Sequence, residues 1–340
     1  MKQESAARRL LVAAIALAAA AAALVGLALL AGASPLDALH SLAEGSVGSR
    51  AALGETLARA TALVLTAIAA SLAFRAGVLN IGLEGQFLAG AAAAAAVGPL
   101  LSGAPFVARA GLLVASALAG ALWVLPAAYL EARRGVPEVL STILLNLIAA
   151  AAVSGLVRGA LQDPRGDYPQ SRALPDAVRL APFVPGSRAT AAIVAAVVLA
   201  LFVTLVVEAT PLGLKLRAIG LAPAAARAIG IPGARLRLLA FSASGALAGL
   251  AGGLEVLAVT GRLYDPFSAG AGYTGIAAAL LGGSHPLAAA ASAMLFAALG
   301  AGSSAMQRDT GVPGALATIV PGVLVLTVLA ARARLTRKRA

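Results

Sequence analysis

Between Phe74 and Gln86 the chain reads FRAGVLNIGLEGQ, which sets Arg75, Asn80, Glu84 and Gln86 among Gly77, Gly82 and Gly85 in an otherwise apolar neighbourhood. Ionisable and amide groups are expensive inside a membrane span, so a chain that keeps them there uses them on a solute path, in a gate, or to neutralise one another. Glycines in the same stretch interrupt a helix, and unwound backbone turned toward a cavity offers its own polar groups. Two plainer uses stand beside these: Arg75 and Glu84 could simply pair, and the glycines could serve close helix packing. Ser141, Thr142, Asn146, Ser244 and Glu255 also stand inside apolar runs. With Asn80, Glu84 and Gln86 they complete the set of substrate-path candidates. A second glycine-interrupted apolar segment, GIAAALLGGSHP at 275–286, lies in the other half and suggests an internal repeat that the sequences themselves match only weakly.

Bond-breaking chemistry has no such candidates. The chain holds no HExxH, no Walker lysine motif and no aspartate pair suited to magnesium. His40 and His285 are its two histidines, neither with a third ligand nearby in the sequence, and His285 reads as a turn residue at a helix break. Cysteine is absent, which removes disulfides, thiol catalysis and cysteine metal sites. An enzyme, a metal and a cofactor of this chain's own are therefore not expected.

The elements that must position the polar residues are membrane helices. The 340 residues are 60% hydrophobic and 12% charged, with a mean hydropathy of +0.93, and apolar runs of span length recur. Open strand edges cannot be satisfied in hydrocarbon and barrel alternation is missing, so the expected class is all-α, a polytopic helical membrane protein. About ten transmembrane helices are read, with broken or re-entrant elements, at 10–32, 60–74, 85–101, 110–130, 140–157, 191–207, 238–259, 276–281, 287–305 and 312–331. They form one transmembrane domain over 1–340. The first run is longer than a cleavable signal segment and reads as a retained span. The stretch 33–59 suggests short interfacial helices. Pro164, Pro169, Pro175, Pro182 and Pro185 make 158–188 a loop, and 261–275, with Tyr264, Asp265 and Tyr273, is another. Phe74, Phe87, Trp123 and Phe241, in or beside spans, read as lipid-facing or packing residues.

The net charge of +12 has a topogenic reading, since Lys and Arg gather in cytoplasmic segments and no nucleic-acid signature is present. Ten crossings put both termini on one side. Assigning that side to the cytoplasm collects the amino end with Lys2, the Arg133/Arg134 turn, the 211–237 loop and the tail RARLTRKRA, and leaves 158–188 outside. The 211–237 loop, PLGLKLRAIGLAPAAARAIGIPGARLR, holds a short helix that Pro223 opens and Gly230 and Pro232 close. From its residues alone, such a helix suits a groove on a partner or an anionic lipid surface.

FRAGVLNIGLEGQ, then GVPEVLSTILLN at 135–146, then GLKLRAIGLAPAAARAIGI at 213–231 occur in an order and spacing that resemble permease subunits of ATP-binding cassette importers. The resemblance covers nearly the whole chain. Its branch is that of simple sugars and nucleosides, and it is nearest to the longer of two paired permeases that serve a purine-nucleoside-binding lipoprotein. The resemblance implies a coupling segment from Gly213 to Ile231 seated on an ATPase subunit, with Gly213, Arg217, Gly220, Pro223, Ala225, Arg227 and Gly230 carrying it. It further implies a second permease chain, an extracytoplasmic solute-binding lipoprotein, surrounding membrane lipid, a plasma (inner) membrane location and alternating access driven by ATP that the partner subunits use. Pro137 and Ala222 depart from the asparagines common at those places, and the second change removes a side chain able to cap the helix after it. The competing reading is a secondary transporter driven by an ion gradient, with Glu84 or Glu255 as its proton or sodium site.

Overall fold

The computed structural model describes residues 6–101, 104–166, 168–184, 186–283, 285–312 and 319–337. Lys2, Lys338 and Arg339, the loop residues Asp167 and Pro185, Ser284, and the 313–318 part of the last expected span lie outside the described residues.

Fourteen α-helices follow one another among the described residues: α1 Ala6–Leu30, α2 Pro35–Ala43, α3 Arg50–Arg75, α4 Leu83–Val97, α5 Pro105–Trp123, α6 Leu125–Arg134, α7 Glu138–Val157, α8 Ala192–Ala209, α9 Pro211–Leu221, α10 Pro223–Ala228, α11 Gly233–Glu255, α12 Ala271–Gly282, α13 Pro286–Thr310 and α14 Ile319–Arg337. Local chemistry sets many of the boundaries. The side chains of Ser34, Ser49 and Thr210 accept the backbone N–H groups of Asp37, Ala52 and Gly213 at the starts of α2, α3 and α9. Left-handed Gly135, Gly283 and Gly311 end α6, α12 and α13. The interfacial segment expected up to residue 59 is shorter than read: a π turn over Glu44–Gly48 follows α2, and once Ser49 has capped it, α3 runs unbroken from Arg50. Likewise α12 begins at Ala271, inside the loop expected over 261–275.

Among the described residues six helices are long and apolar enough to cross a membrane, counting α5–α6 as one run and α11 with the π turn after it, or seven if α1 and α2 make one bent span. The expectation was about ten. Four expected spans make the difference. α1 counts only in its bent pair with α2, and α14 is described from Ile319 with a short apolar stretch to Ala331. α4 and α12, with 15 and 12 residues, rise about 22 and 18 Å against a hydrocarbon core of about 30 Å. α4 and α12 are the apolar half-length elements packed inside the bundle, a distinction that hydropathy does not draw.

The centre is α11, packed backbone to backbone on α4 and α5. A Cβ on Gly249 would stand 2.3 Å from the Ser116 carbonyl, on Gly252 2.0 Å from that of Phe87, and on Gly120 2.2 Å from that of Gly245. Lipid tails are as apolar as leucine, so helices in hydrocarbon gain by approach and not by burial, and glycine permits the approach. At the periphery α8 turns Ala196, Ala200, Val203 and Val207 inward and Val194, Val197, Leu201, Phe202 and Leu205 outward, a stripe at helical spacing with an apolar face left for lipid.

The 158–188 excursion is laid across one end of this bundle. Leu174 N–H donates to the Gly261 carbonyl at 2.8 Å and Ser171 N–H to that of Leu263 at 2.7 Å. Arg109 on α5 donates to the carbonyls of Val178, Ala177 and Arg179 at 2.8, 3.1 and 3.1 Å. Asp265 accepts from Ser154 Oγ at 2.8 Å and from Arg158 Nη2 at 2.7 Å, and these bonds hold its carboxyl below the usual range. A carboxylate with a lowered pKa contributes stability above its unfolded value and loses it as pH falls through the lowered one. Limited proteolysis of the loop is therefore expected to accelerate as pH drops into the acidic carboxylate range, and Asp265→Asn should cut readily at every pH. An equal acid dependence in both proteins would remove Asp265 from the attachment.

Candidate functional site

Arg75 and Glu84, the charged residues of FRAGVLNIGLEGQ, find their partners in other parts of the chain. Arg75, at the end of α3, binds Glu208. Glu84 lies in the first turn of α4 and its Oε2 accepts the Gly272 N–H in the first turn of α12 at 2.7 Å. The N-termini of the two half-length helices thus meet at one carboxylate, where the partial positive charges of both helix ends compensate its burial. From there α4 runs toward the 158–188 loop, where Gly98 faces Leu174, and α12 runs toward His285 at the other end.

Around this meeting point the amides form a closed set. Asn80 and Gln86 exchange two bonds, Nδ2 to Oε1 at 2.9 Å and Nε2 to Oδ1 at 3.0 Å. Asn80 also donates to Ser244 Oγ at 3.0 Å and accepts from the Gly82 N–H at 3.0 Å. Asn146 on α7 accepts the Gly85 N–H at 2.8 Å and donates to the Ile81 carbonyl at 2.9 Å and the Tyr273 hydroxyl at 3.1 Å. The Gly82 N–H, Gly85 N–H and Ile81 carbonyl are backbone groups at the helix interruption; Asn80 of the interruption itself satisfies the first and Asn146 of α7 the other two, while Ser244 of α11 holds the Asn80 side chain. Thr142 donates to the Glu138 carbonyl of its own helix at 2.7 Å, and buried Ser141 Oγ has no hydrogen-bond partner among the described residues. Seven of the eight substrate-path candidates therefore stand buried in or beside this network.

The eighth, Glu255, stands elsewhere. It lines a cavity of about 760 Å³ bounded by α3, α11, α12, α13 and α14 and by the 261–270 segment. Arg59, Arg188, Tyr264, Phe267 and Tyr273 share the wall. Arg59 Nε and Arg188 Nε donate to Glu55 at 3.1 and 3.0 Å, and Arg59 Nη2 donates to Ser304 Oγ at 3.1 Å. Arg188 Nη2 closes a second bond to Glu55, which holds the Arg188 guanidinium firmly cationic. Phe267 stands between Phe87 and Tyr264, with ring centroids 5.9 and 5.4 Å apart. Burial, with Glu255 nearby, raises the Tyr264 phenol, which keeps its proton and can donate it in a hydrogen bond. Tyr273 joins the two features, with its ring in the cavity wall and its hydroxyl bonded to Asn146.

A space of this size, inside the range of about 300–1,000 Å³ for small-molecule sites, with aromatic faces, a carboxylate and fixed cations, suits a polar solute with a flat or hydroxylated body. Sequence reasoning reached Glu255 and missed Arg59, Arg188, Phe267 and Ser304. The i, i+4 spacing of Glu55 and Arg59 was the one legible signal. A second hollow of about 410 Å³ between α4, α5 and α7 is lined by alanine, leucine, valine, Pro126 and Trp123, which suits lipid rather than a polar solute.

The 211–237 segment is more helical than read, with α9 preceding the short helix foreseen at Pro223. Apolar Leu216 and Ile219 of α9 are buried. Gly213 is pressed on the Val207 carbonyl, where a Cβ would stand at 2.0 Å, and Gly220 on the Arg75 carbonyl, at 2.3 Å. Arg217 donates to Glu208 at 2.8 Å. Pro223, Ala225 and Arg227 lie exposed on α10, and Gly230 takes a left-handed φ of 79° just after it. Among the described residues no side chain caps α10 at Ala222, as its residue type foretold.

Residues 52–329 match the protein family described as branched-chain amino acid transport system / permease component. The chain is 34% identical over 325 residues to the glucose ABC transporter permease protein TsgB13 of Haloferax volcanii, covering 92% of this chain and 84% of that one. It is 32% identical over 324 residues to the guanosine ABC transporter permease protein NupP of Bacillus subtilis, covering 94% and 92%. With the nucleoside ABC transporter permease protein NupB of Lactococcus lactis it shares 28% over 315 residues, covering 87% and 84%.

Proposed function

The chain belongs to the branched-chain amino acid transport system / permease component family, and from that premise we propose that the cavity at Glu255 is the solute chamber of an importer for nucleosides or simple sugars. As a permease subunit of an ATP-binding cassette importer it performs no catalysis, and ATP is used by its partners. Support for the solute class comes from relatives named for glucose, guanosine and nucleosides, and from a chamber that offers both aromatic faces and polar groups. In this reading the 1–340 chain is one transmembrane domain with about ten crossings, the half-length helices among them. Both termini and the 211–237 loop face the cytoplasm, and α9–α10 sits on the ATPase subunit. The 158–188 loop faces outward toward a solute-binding lipoprotein, and a second permease chain completes the path.

The chamber at Glu255 is the observation that carries this reading. The eight polar candidates then divide by role: Glu255 meets solute, while Asn80, Glu84, Gln86, Asn146 and Ser244 hold the helix ends that shape the chamber, with Ser141 and Thr142 packed beside them. Glu255→Gln in the assembled transporter is expected to lower uptake about tenfold at limiting solute, the worth of one hydrogen bond to a charged group, with normal membrane insertion. Uptake equal to wild type would place the solute elsewhere. The ion-gradient alternative predicts uptake by the permease alone in energised vesicles. The ATP-driven reading predicts none without the ATPase subunit.

A further inference from the structure

At the end of the bundle opposite the chamber, one carboxylate gathers three cationic or protonatable groups from three other parts of the chain. Glu208 stands in the last turn of α8. Its Oε1 accepts from Arg75 Nη2 at the end of α3 and lies 3.6 Å from His285 Nε2, where α12 gives way to α13. Its Oε2 accepts from Arg217 Nη2 of α9 at 2.8 Å. The backbones touch here as well: left-handed Gly77 lies against Gly220, where a Cβ would stand 3.1 Å from the Gly220 Cα. An exposed ion pair between two freely mobile side chains contributes little. This carboxylate divides its two oxygens between α3 and α9 at a place where those elements already meet through glycine, so losing it leaves the contact without its charged tie.

Three of the elements joined here, α3, α12 and α13, wall the chamber. α3 supplies Arg59, α12 supplies Tyr273 and α13 supplies Ser304. We propose that Glu208 is a positioning residue of the transport cycle: it ties α9, and with it the segment read as the ATPase dock, to the ends of α3 and of the α12–α13 turn. Displacement of α9–α10 is thereby carried to the chamber walls. The inference rests on the importer reading above and adds to it the residue through which the drive is transmitted.

The test uses the whole transporter, permease with its ATPase, in liposomes, supplied with binding protein loaded with a nucleoside or sugar that it retains. Wild type should show ATPase stimulated by loaded binding protein. Glu208→Gln is expected to lower the ratio of stimulated to basal ATPase about tenfold, within the ordinary span of coupling free energies, and to lower uptake in parallel. Glu208→Asp should recover most of the ratio. Arg75→Gln should lower it too, and the double variant should be no worse than the worse single one, since both break one link. Spin labels at the exposed positions Leu79 and Leu214 should give one narrow distance in wild type and a broad distribution in Glu208→Gln. Should Glu208→Gln not insert, Arg75→Gln and Arg217→Gln carry the same readouts. Coupling unchanged in these variants, additive losses in the double variant, or an unaltered distance distribution would overturn the proposal. A wild type that shows no stimulation at all would overturn the importer reading, and the inference with it.

Discussion

Asn80→Ala is expected to lower the stability of the purified chain in detergent by about 3 kcal/mol, because it strands three buried partners at once. The Gln86 amide loses both of its bonds, the Gly82 N–H its acceptor and the Ser244 hydroxyl a donor, in a place where Asn80 and Ser244 are wholly buried and Gln86 is nearly so. Ser244→Ala is the control. It removes one interhelical bond and should cost about 0.6 kcal/mol, the average for such bonds in a membrane protein. Reversible unfolding in mixed micelles measures both. Similar small losses for the two variants would mean that water or a rearranged backbone takes over the role given to Asn80.

The second large effect concerns the α11 seam. Gly249→Ala places a methyl 2.3 Å from the Ser116 carbonyl and 2.8 Å from the Gly120 Cα, both backbone atoms that no rotamer change can move. Overpacking of this kind costs about 1–3 kcal/mol when a core can give way. Here α5 must shift bodily, so Gly249→Leu should abolish accumulation of folded protein in the membrane. Gly155 on α7 has open space at its Cβ, and Gly155→Ala should be neutral or stabilising by up to about 1 kcal/mol, since glycine is the poorer helix former. Fluorescence size-exclusion of tagged variants separates these outcomes. Monodisperse Gly249→Leu at wild-type yield would show that the seam can open.

What the sequence made legible is what periodicity and composition encode. Helices, the proline-rich excursion and the polar anomaly at 74–86 could each be read from neighbours a few residues apart. The number of full crossings could not, because α4 and α12 are as apolar as true spans and differ only in length. Nor could the chamber: Arg59 meets Arg188 through Glu55, and Phe87 meets Phe267, pairings across well over a hundred residues that no local pattern carries. Arg75 shows the limit most clearly. The nearest acid in sequence, Glu84, was the natural partner to consider, yet a helix N-terminus claims Glu84 and Arg75 finds Glu208 on α8. Carboxylates go where the fold brings donors to them, and that convergence is a property of the fold.

The closed amide set at the α3–α4 interruption has a mechanical consequence. A segment with backbone groups held by its own Asn80 and by Asn146 of α7 behaves as a rivet and not as a hinge, so FRAGVLNIGLEGQ is carried along in a rearrangement with its internal geometry intact. Relative movement must be taken up where helices touch through smooth apolar surfaces alone. α8 is such an element, resting on its neighbours along Ala196, Ala200 and Val203 and linked by charge only near its last turn. It is built like a push-rod, free to slide along its shaft and pinned at one end.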